Sequence, residues 1–230
     1  MKRLLLALEL ILILGTPGIA SAQENSITAD IVYLYLGSQS TASRIGTAQG
    51  LETLESLETA IAPKRPDQTV LLFQDSNDHH DFVAITQGIH ADEPIQLGWN
   101  KLPNQNKTST TSEARAFVLR STLLSGNPKL NATKRSYVTI KHVDSDPKKR
   151  NSNPPLFQQL EQILNTKAGF QGLQVWTWDA RPNHWTVIEA WNDTPSQQRA
   201  QQSPEIVILW DLIYSNTAAP KNESSYRLVN

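Results

Sequence analysis

Two ionisable side chains in the C-terminal half of the chain lie within apolar, aromatic sequence. Glu189 lies in the stretch His-Trp-Thr-Val-Ile-Glu-Ala-Trp, residues 184–191, and His142 lies in Tyr-Val-Thr-Ile-Lys-His-Val, residues 137–143. A buried carboxylate needs a partner or a raised pKa, and a carboxylate with a raised pKa can act as a general base. We therefore predict Glu189 or His142 as the proton acceptor of a reaction. A structural ion pair of Glu189 with Arg181 or Lys141 is the more common arrangement.

Tryptophans surround Glu189 in sequence. Four of the six tryptophans of the chain fall within residues 173–191. Side chains alternate between the faces of a strand, so Trp176 and Trp178 share one face, and Glu189 and Trp191 share one face of the next strand. Clustered indoles can form the floor of a pocket for a flat aromatic ligand, and their N–H groups can orient it. We predict ligand contacts from Trp191, Trp178, Trp176 and Tyr137, with simple core packing as the alternative for each.

A β-hairpin followed by a helix would position these side chains. Residues 173–179 and 184–191 are rich in β-branched and aromatic residues, and Pro182 and Asn183 between them favour a turn. Asp193 or Thr194 can cap a helix that we predict for residues 195–214, and Pro195 suits its first turn.

This stretch resembles the antibiotic biosynthesis monooxygenase domain. The resemblance rests on a glycine-bounded strand, a turn, Ile-Glu-Ala-Trp-Asn-Asp at residues 188–193, and Ser203-Pro204 after the first part of the helix. It covers residues 136–229. It implies a ferredoxin-like domain, a pocket between sheet and helices, and oxidation of phenolic, quinol or haem substrates. Many members carry two histidines at places where this chain has Ala200 and Glu205, which argues against haem degradation and leaves cofactor-free oxidation of a phenol.

The order of elements in residues 137–229, β-α-β-β-α-β, is the ferredoxin-like order. The first half begins in the same way, with a strand at residues 31–36, an amphipathic helix at 41–62, and strands at 68–75 and 81–87. For its second helix, residues 94–102 are the candidate, before a strand at 114–124. The resemblance implies that two such domains pair as a dimeric α+β barrel. We therefore predict an α+β protein in which two ferredoxin-like β-α-β-β-α-β domains pack as an internal dimeric α+β barrel, with a degenerate domain at 27–124, a linker at 125–135, and the second domain at 136–230.

The N-terminus has the composition of a signal peptide. Lys2 and Arg3 precede an apolar run at residues 4–14, and Ala20-Ser21-Ala22 is a small-residue cleavage site. Cleavage after residue 22 predicts an exported, periplasmic or secreted protein with no stable membrane insertion. The retained segment as an anchor is the alternative.

Composition excludes several classes of function. The net charge is -1, which provides no field that would attract nucleic acid. The chain has no cysteine, which removes thiolate catalysis, and its five histidines show no metal-binding spacing. We predict no cofactor and no metal, a small aromatic ligand or substrate as the partner, and a capacity for self-association. The main hypothesis for the function is a cofactor-independent monooxygenase. The alternatives are a non-catalytic binding protein and a structural envelope protein of the same fold.

Overall fold

The fold is given by a computed structural model that describes residues 27–35, 69–77, 81–89 and 115–228. The predicted signal peptide and the predicted helices at residues 41–62 and 94–102 lie outside these ranges. Within them, no helix is both long and apolar enough to cross a membrane.

Eight strands form a closed barrel in which all neighbouring strands are antiparallel. The strands are β1 (Ile27–Tyr35), β2 (Thr69–Asp75), β3 (Asp81–Ile89), β4 (Arg115–Gly126), β5 (Tyr137–Asp144), β6 (Phe170–Trp178), β7 (Arg181–Trp191) and β8 (Asn222–Leu228). Their order around the barrel is β1-β3-β2-β8-β5-β7-β6-β4. Both halves thus have the same internal order, β4-β1-β3-β2 and β8-β5-β7-β6, and the pairs β2–β8 and β4–β6 join them. The predicted α+β class and closed barrel agree with this arrangement, whereas the division into two ferredoxin-like domains stays a prediction.

Three helices follow strands of the second half, and the chain has one more helix there than we predicted. They are α1 (Asn153–Leu164), α2 (Thr194–Gln201) and α3 (Pro204–Ser215), with a short 3-10 helix at Pro147–Ser152 before α1. The continuous helix predicted for residues 195–214 was therefore wrong. Ser203 has an extended backbone and acts as the N-cap of α3, and proline is well tolerated only in a first turn. The predicted cap of α2 is confirmed: the Asp193 carboxylate accepts from the Ser196 backbone N–H at 2.7 Å.

The sheet is buried on both sides in the second half. Inside the barrel, apolar side chains from both halves form one cluster that includes Ile31, Ile85, Leu119, Ile140 and Trp176. Outside it, a second cluster lies between the sheet and the three helices, and it includes Phe157, Leu160, Trp185, Trp191 and Trp210. Because both faces are covered, β5 and β7 read as nearly continuous apolar runs rather than as simple alternations.

Gly126 permits the contact at the junction of the two halves. It ends β4 beside β6 with a φ of 102°, and a Cβ at this position would lie 2.1 Å from the carbonyl oxygen of Leu173. Only glycine adopts this conformation without strain and allows the backbones to approach so closely. β4 therefore ends here, and the chain turns into residues 127–136.

Candidate functional site

The sheet separates the predicted site residues into two groups. Adjacent residues of a strand point to opposite faces, so Lys141 and His142 of β5 lie on different sides. The helix side holds Glu189, Trp191 and Tyr137; the barrel interior holds His142, Trp176 and Trp178. Because the sheet lies between them, the two groups cannot bind the same ligand molecule.

Both carboxylate oxygens of Glu189, on the helix side, are hydrogen-bonded to protein groups. Its side chain is fully buried, and Oε1 lies 2.7 Å from Lys141 Nζ. Oε2 accepts from Trp191 Nε1 at 3.2 Å and from Gln201 Nε2 at 3.2 Å. Lys141, not Arg181, is thus the partner among the two predicted alternatives. Because both oxygens of the carboxylate already accept hydrogen bonds from protein groups, Glu189 is poorly placed to contact a ligand.

Lys141 is held as firmly as Glu189. Its side chain is 2% exposed, and Nζ also lies 3.7 Å from Glu223 Oε1 and 4.4 Å from the centroid of the Trp210 ring. An ammonium over an indole face gains cation–π stabilisation that is larger when the pair is desolvated. Two carboxylates and one indole therefore compensate for the removal of this ammonium from water.

Trp191 and Tyr137 complete the helix-side group. Trp191 is fully buried and meets the Phe170 ring edge to face, with centroids 5.1 Å apart. Tyr137 lies directly opposite Trp191 in the β5–β7 ladder. The indole of Trp191 has protein contacts on its N–H and on its ring, as a packing residue does.

Trp176 in the barrel interior is tied to the segment that follows β4. Its Nε1 donates to Gln174 Oε1 at 3.2 Å, and Gln174 Nε2 donates to the carbonyl oxygens of Asn127 and Pro128 at 3.0 and 3.2 Å. Both side chains are fully buried. This chain of hydrogen bonds fixes the connection between the halves to the barrel wall.

A group of aromatic and polar side chains lies at one end of the barrel interior, and we call it the barrel-end cluster: Tyr33, His142, Trp178, His184 and Thr186. The His142 ring lies 5.3 Å from the Tyr33 ring and 6.2 Å from the Trp178 ring, and Trp178 stacks on His184 at 5.0 Å. Trp178 Nε1 donates to Thr186 Oγ1 at 3.0 Å. The four ring-bearing members are all partly exposed, whereas Trp176 and Trp191 are not. Of the predicted ligand-binding tryptophans, only Trp178 is therefore reachable without unpacking the core.

The environment of the barrel-end cluster keeps its titratable groups uncharged. Burial, and to a smaller extent the proximity of His184, lowers the pKa of His142 to about 4. Burial raises the pKa of the Tyr33 hydroxyl, so that it remains a phenol at neutral pH. His142 Nδ1 is buried and has no hydrogen-bond partner in the part of the chain that the structure describes. The cluster thus offers a neutral imidazole and a neutral phenol beside an indole.

His184 is paired with a carboxylate. Its Nε2 lies 2.9 Å from Asp144 Oδ1, and the two residues are opposite each other in the β5–β7 ladder. Burial lowers the pKa of His184, although the Asp144 charge opposes that effect. In neutral His184 the hydrogen bond to Asp144 places the proton on Nε2 and leaves Nδ1 as the acceptor.

Sequence reasoning did not assign Tyr33, Asp144 or His184 to a site. The pairing of Asp144 with His184 had a usable signal, because a ferredoxin-like order places the first strand beside the third. The end of β5 and the start of β7 then meet. The approach of Tyr33 to His142 had no local signal, since it depends on how the two halves close the barrel.

In the described ranges, no three His, Cys, Asp or Glu side chains are grouped so that they could hold a metal ion. The residues there also contain no cysteine.

Comparison with known proteins identifies the fold. Neither a protein-family model nor a protein of curated function matches the sequence. Among solved structures, a proposed monooxygenase of Fusobacterium nucleatum is 11% identical with a TM-score of 0.63, over 89% of this chain and 94% of its own. An anthrone oxidase-like protein is 11% identical with a TM-score of 0.62, over 92% and 94%. A ferredoxin-fold protein of Listeria monocytogenes related to antibiotic biosynthesis monooxygenases is 11% identical with a TM-score of 0.53, over 87% and 95%.

The chain has the fold of proteins related to antibiotic biosynthesis monooxygenases. The predicted resemblance is thereby confirmed for the fold. Each alignment covers nearly the whole of both chains. The similarity therefore extends over both halves of the barrel.

Proposed function

We propose that the barrel-end cluster binds a flat phenolic or quinol-like compound and that the chain oxygenates it without a cofactor. The observation that carries the proposal is the neutral imidazole of His142, which has a free, buried Nδ1 and lies between the rings of Tyr33 and Trp178. The shared fold of the proposed monooxygenase and of the anthrone oxidase-like protein supports the class of reaction.

The reaction class fits a site without a metal. A reduced aromatic compound such as anthrone loses two hydrogens and gains one oxygen atom from O2, and the second oxygen atom leaves as water. The substrate itself supplies the electrons, so the balance requires no external reductant. The protein has to bind the ring, accept a proton and stabilise the substrate anion that reacts with O2.

Each role has a candidate in the barrel-end cluster. Trp178 provides the ring face for stacking, and Tyr33, a phenol at neutral pH, donates a hydrogen bond to the substrate oxygen. His142 accepts the proton through Nδ1. A pKa of about 4 makes His142 a weak base in the free protein. A substrate anion beside it favours the imidazolium and raises that pKa.

The helix-side residues have a different role in this proposal. Glu189 and Trp191 were predicted as base and ring-stacking residue, and Tyr137 as a ligand contact. Their contacts with Lys141, Gln201 and Phe170 instead support a role in holding the helices on the sheet.

A test of the proposed function measures O2 consumption and quinone formation with anthrone in air. We expect turnover by the wild type and a loss of at least tenfold in Trp178→Phe and His142→Phe, in line with the contribution of roughly 10²- to 10⁴-fold of a positioned base. Trp191→Phe is the matched control, because it makes the same substitution on the other side of the sheet and should retain turnover. Equal turnover in Trp178→Phe, His142→Phe and the wild type would refute the assignment of the site.

A binding protein without catalysis is the second candidate, and the low pKa of His142 favours it. In that case anthrone quenches tryptophan fluorescence in the wild type and less so in Trp178→Phe, while O2 consumption stays at the level of buffer. The two measurements together distinguish an enzyme from a binder.

The remaining expectations about the whole chain are also proposals. They are two fused ferredoxin-like domains at 27–124 and 136–230 with a linker at 125–135, export after removal of residues 1–22, no binding of nucleic acid, and self-association. The equal strand order in the two halves of the barrel supports the first of these. The exposed apolar side chains of Val207, Ile208 and Leu212 on α3 support the expectation of self-association.

A further inference from the structure

A row of side chains runs across the barrel interior next to the barrel-end cluster. In the strand register, Trp178 lies opposite Ser121, Ser121 opposite Ala29, and Ala29 opposite Gln87. Directly opposed residues share a face of the sheet, and Ala29 and Trp178 both pack in the interior cluster. Ser121 and Gln87 therefore face the barrel interior, on either side of the small side chain of Ala29.

The side chains of Ser121 and Gln87 are buried, and their polar atoms have no partner among the described residues. Ser121 is 0% exposed and Gln87 is 4% exposed. The Ser121 hydroxyl and both amide atoms of Gln87 have no hydrogen-bond partner in the described part of the chain. An unpaired buried polar group destabilises a fold, and buried polar groups in proteins are nearly always satisfied. Gln174, also in the barrel interior, follows that rule, since its amide bonds to Asn127, Pro128 and Trp176.

The spacing of the row suits one ligand oxygen. Neighbouring strands are about 4.8 Å apart, so the backbones of Ser121 and Gln87 are separated by roughly 10 Å across Ala29. The long side chain of Gln87 can cover half of that distance, and the methyl group of Ala29 occupies little space between them. An oxygen atom above Ala29 is then within reach of a hydroxyl on one side and of an amide on the other.

We propose that Ser121 and Gln87 form a hydrogen-bonding subsite in the barrel interior for a second oxygen function of the ligand. The inference rests on the proposed function, because it takes the aromatic ring to lie against Trp178. The ligand class is thereby narrowed to ring systems that carry oxygen at two opposite ends, one at His142 and one above Ala29. Fixed internal water molecules at Ser121 and Gln87 are the competing explanation.

The binding test compares 2-naphthol with naphthalene-2,6-diol, which differ by one hydroxyl at the opposite end of the same ring system. Affinities are measured by quenching of tryptophan fluorescence in the wild type and in the double variant Ser121→Ala/Gln87→Met. We expect the diol to bind the wild type about tenfold more tightly, as one additional neutral hydrogen bond allows. In the double variant the advantage of the diol should disappear while the affinity for 2-naphthol stays the same.

A second measurement needs no ligand. If the polar pair serves a ligand, its replacement by apolar side chains of similar size removes unpaired groups, and the unfolding equilibrium constant of the free protein should fall about tenfold. If fixed water molecules satisfy the pair, the double variant should unfold more easily, and the subsite proposal would be overturned.

The outcomes separate the subsite from the proposed function. A diol advantage that persists in the double variant overturns the subsite and leaves aromatic binding at Trp178 intact. Absence of binding of both compounds to the wild type overturns the aromatic site, and the subsite with it. Loss of the diol advantage together with a more stable double variant supports both.

Discussion

The pair formed by Lys141 and Glu189 gives a quantitative test of whether the helix-side carboxylate is structural. Glu189→Gln preserves the shape of the side chain and removes its charge. Lys141 then retains only Glu223, at 3.7 Å and 45% exposed, and the face of Trp210. Breaking one partner of a buried ion pair costs about 3–5 kcal/mol, because the other charge stays buried. Because Lys141 keeps these contacts, we expect Glu189→Gln to lower the unfolding free energy by about 3 kcal/mol, near the lower end of that range.

The reverse substitution and the double variant complete the cycle. Lys141→Met leaves the Glu189 carboxylate with only the N–H donors of Trp191 and Gln201, so it should cost a similar amount. The double variant Lys141→Met/Glu189→Gln contains no unpaired charge at this position. Its loss should be smaller than the sum of the two single losses by at least about 2 kcal/mol, the coupling of residues in direct contact.

Urea unfolding at pH 7, followed by tryptophan fluorescence, provides these free energies. A domain with a stability in the usual range of about 5–15 kcal/mol still folds after a loss of 3 kcal/mol, so all variants can be measured. Turnover of anthrone is measured on the same samples at a temperature where each is folded. If Glu189→Gln loses less than about 1 kcal/mol while turnover collapses, Glu189 serves the reaction and our structural assignment of it is wrong.

Three further predictions concern other parts of the barrel. The pKa of His142 is about 4 in the folded chain, against an ordinary value of 6.5, so the unfolded chain binds more protons between these pH values. The unfolding free energy should therefore fall by roughly 3 kcal/mol as the pH drops from 6.5 to 4. His142→Phe should flatten that part of the curve of unfolding free energy against pH, and parallel curves for variant and wild type would contradict the burial of this ring. Gly126→Ala should lower the unfolding free energy by about 1–3 kcal/mol, because φ is positive there and a Cβ would meet the Leu173 carbonyl; Gly172→Ala, where the nearest atom is a Leu130 methyl at 3.3 Å, is the control and should cost less in the same urea titration. Acrylamide should quench Trp178 more strongly than Trp191, because only Trp178 is partly exposed; Trp178→Phe should therefore remove most of the accessible fluorescence of the pair, and Trp191→Phe should remove little.

The sequence predicted the elements better than it predicted the site. The aromatic hairpin, the apolar runs and the order of elements were sufficient to predict the α+β class, because they are local patterns, whereas the closed barrel was implied by the resemblance. The break between α2 and α3 also had a local signal, Ser203-Pro204, which we quoted in the resemblance but did not use to end a helix. The face on which each tryptophan lies had no such signal. One face of the sheet is covered by helices and the other lines the barrel interior, so both faces are apolar. Periodicity then shows which residues share a face, but it does not show which of the two faces lines the barrel interior.

The division by the sheet explains why a function is better sought in the barrel interior. On the helix side, the buried charges of Lys141 and Glu189 satisfy each other and are supported by Trp191 and Gln201, so a ligand that approached this ion pair would have to compete with bonds already made. In the interior, the Nδ1 atom of His142 and the polar side-chain atoms of Ser121 and Gln87 are buried without such bonds to the described part of the chain. A ligand with oxygen atoms at suitable positions can form hydrogen bonds with these groups without replacing a hydrogen bond that they already make. Affinity for such a ligand should therefore respond to substitutions of these interior groups and should not respond to substitution of Glu189 or Lys141.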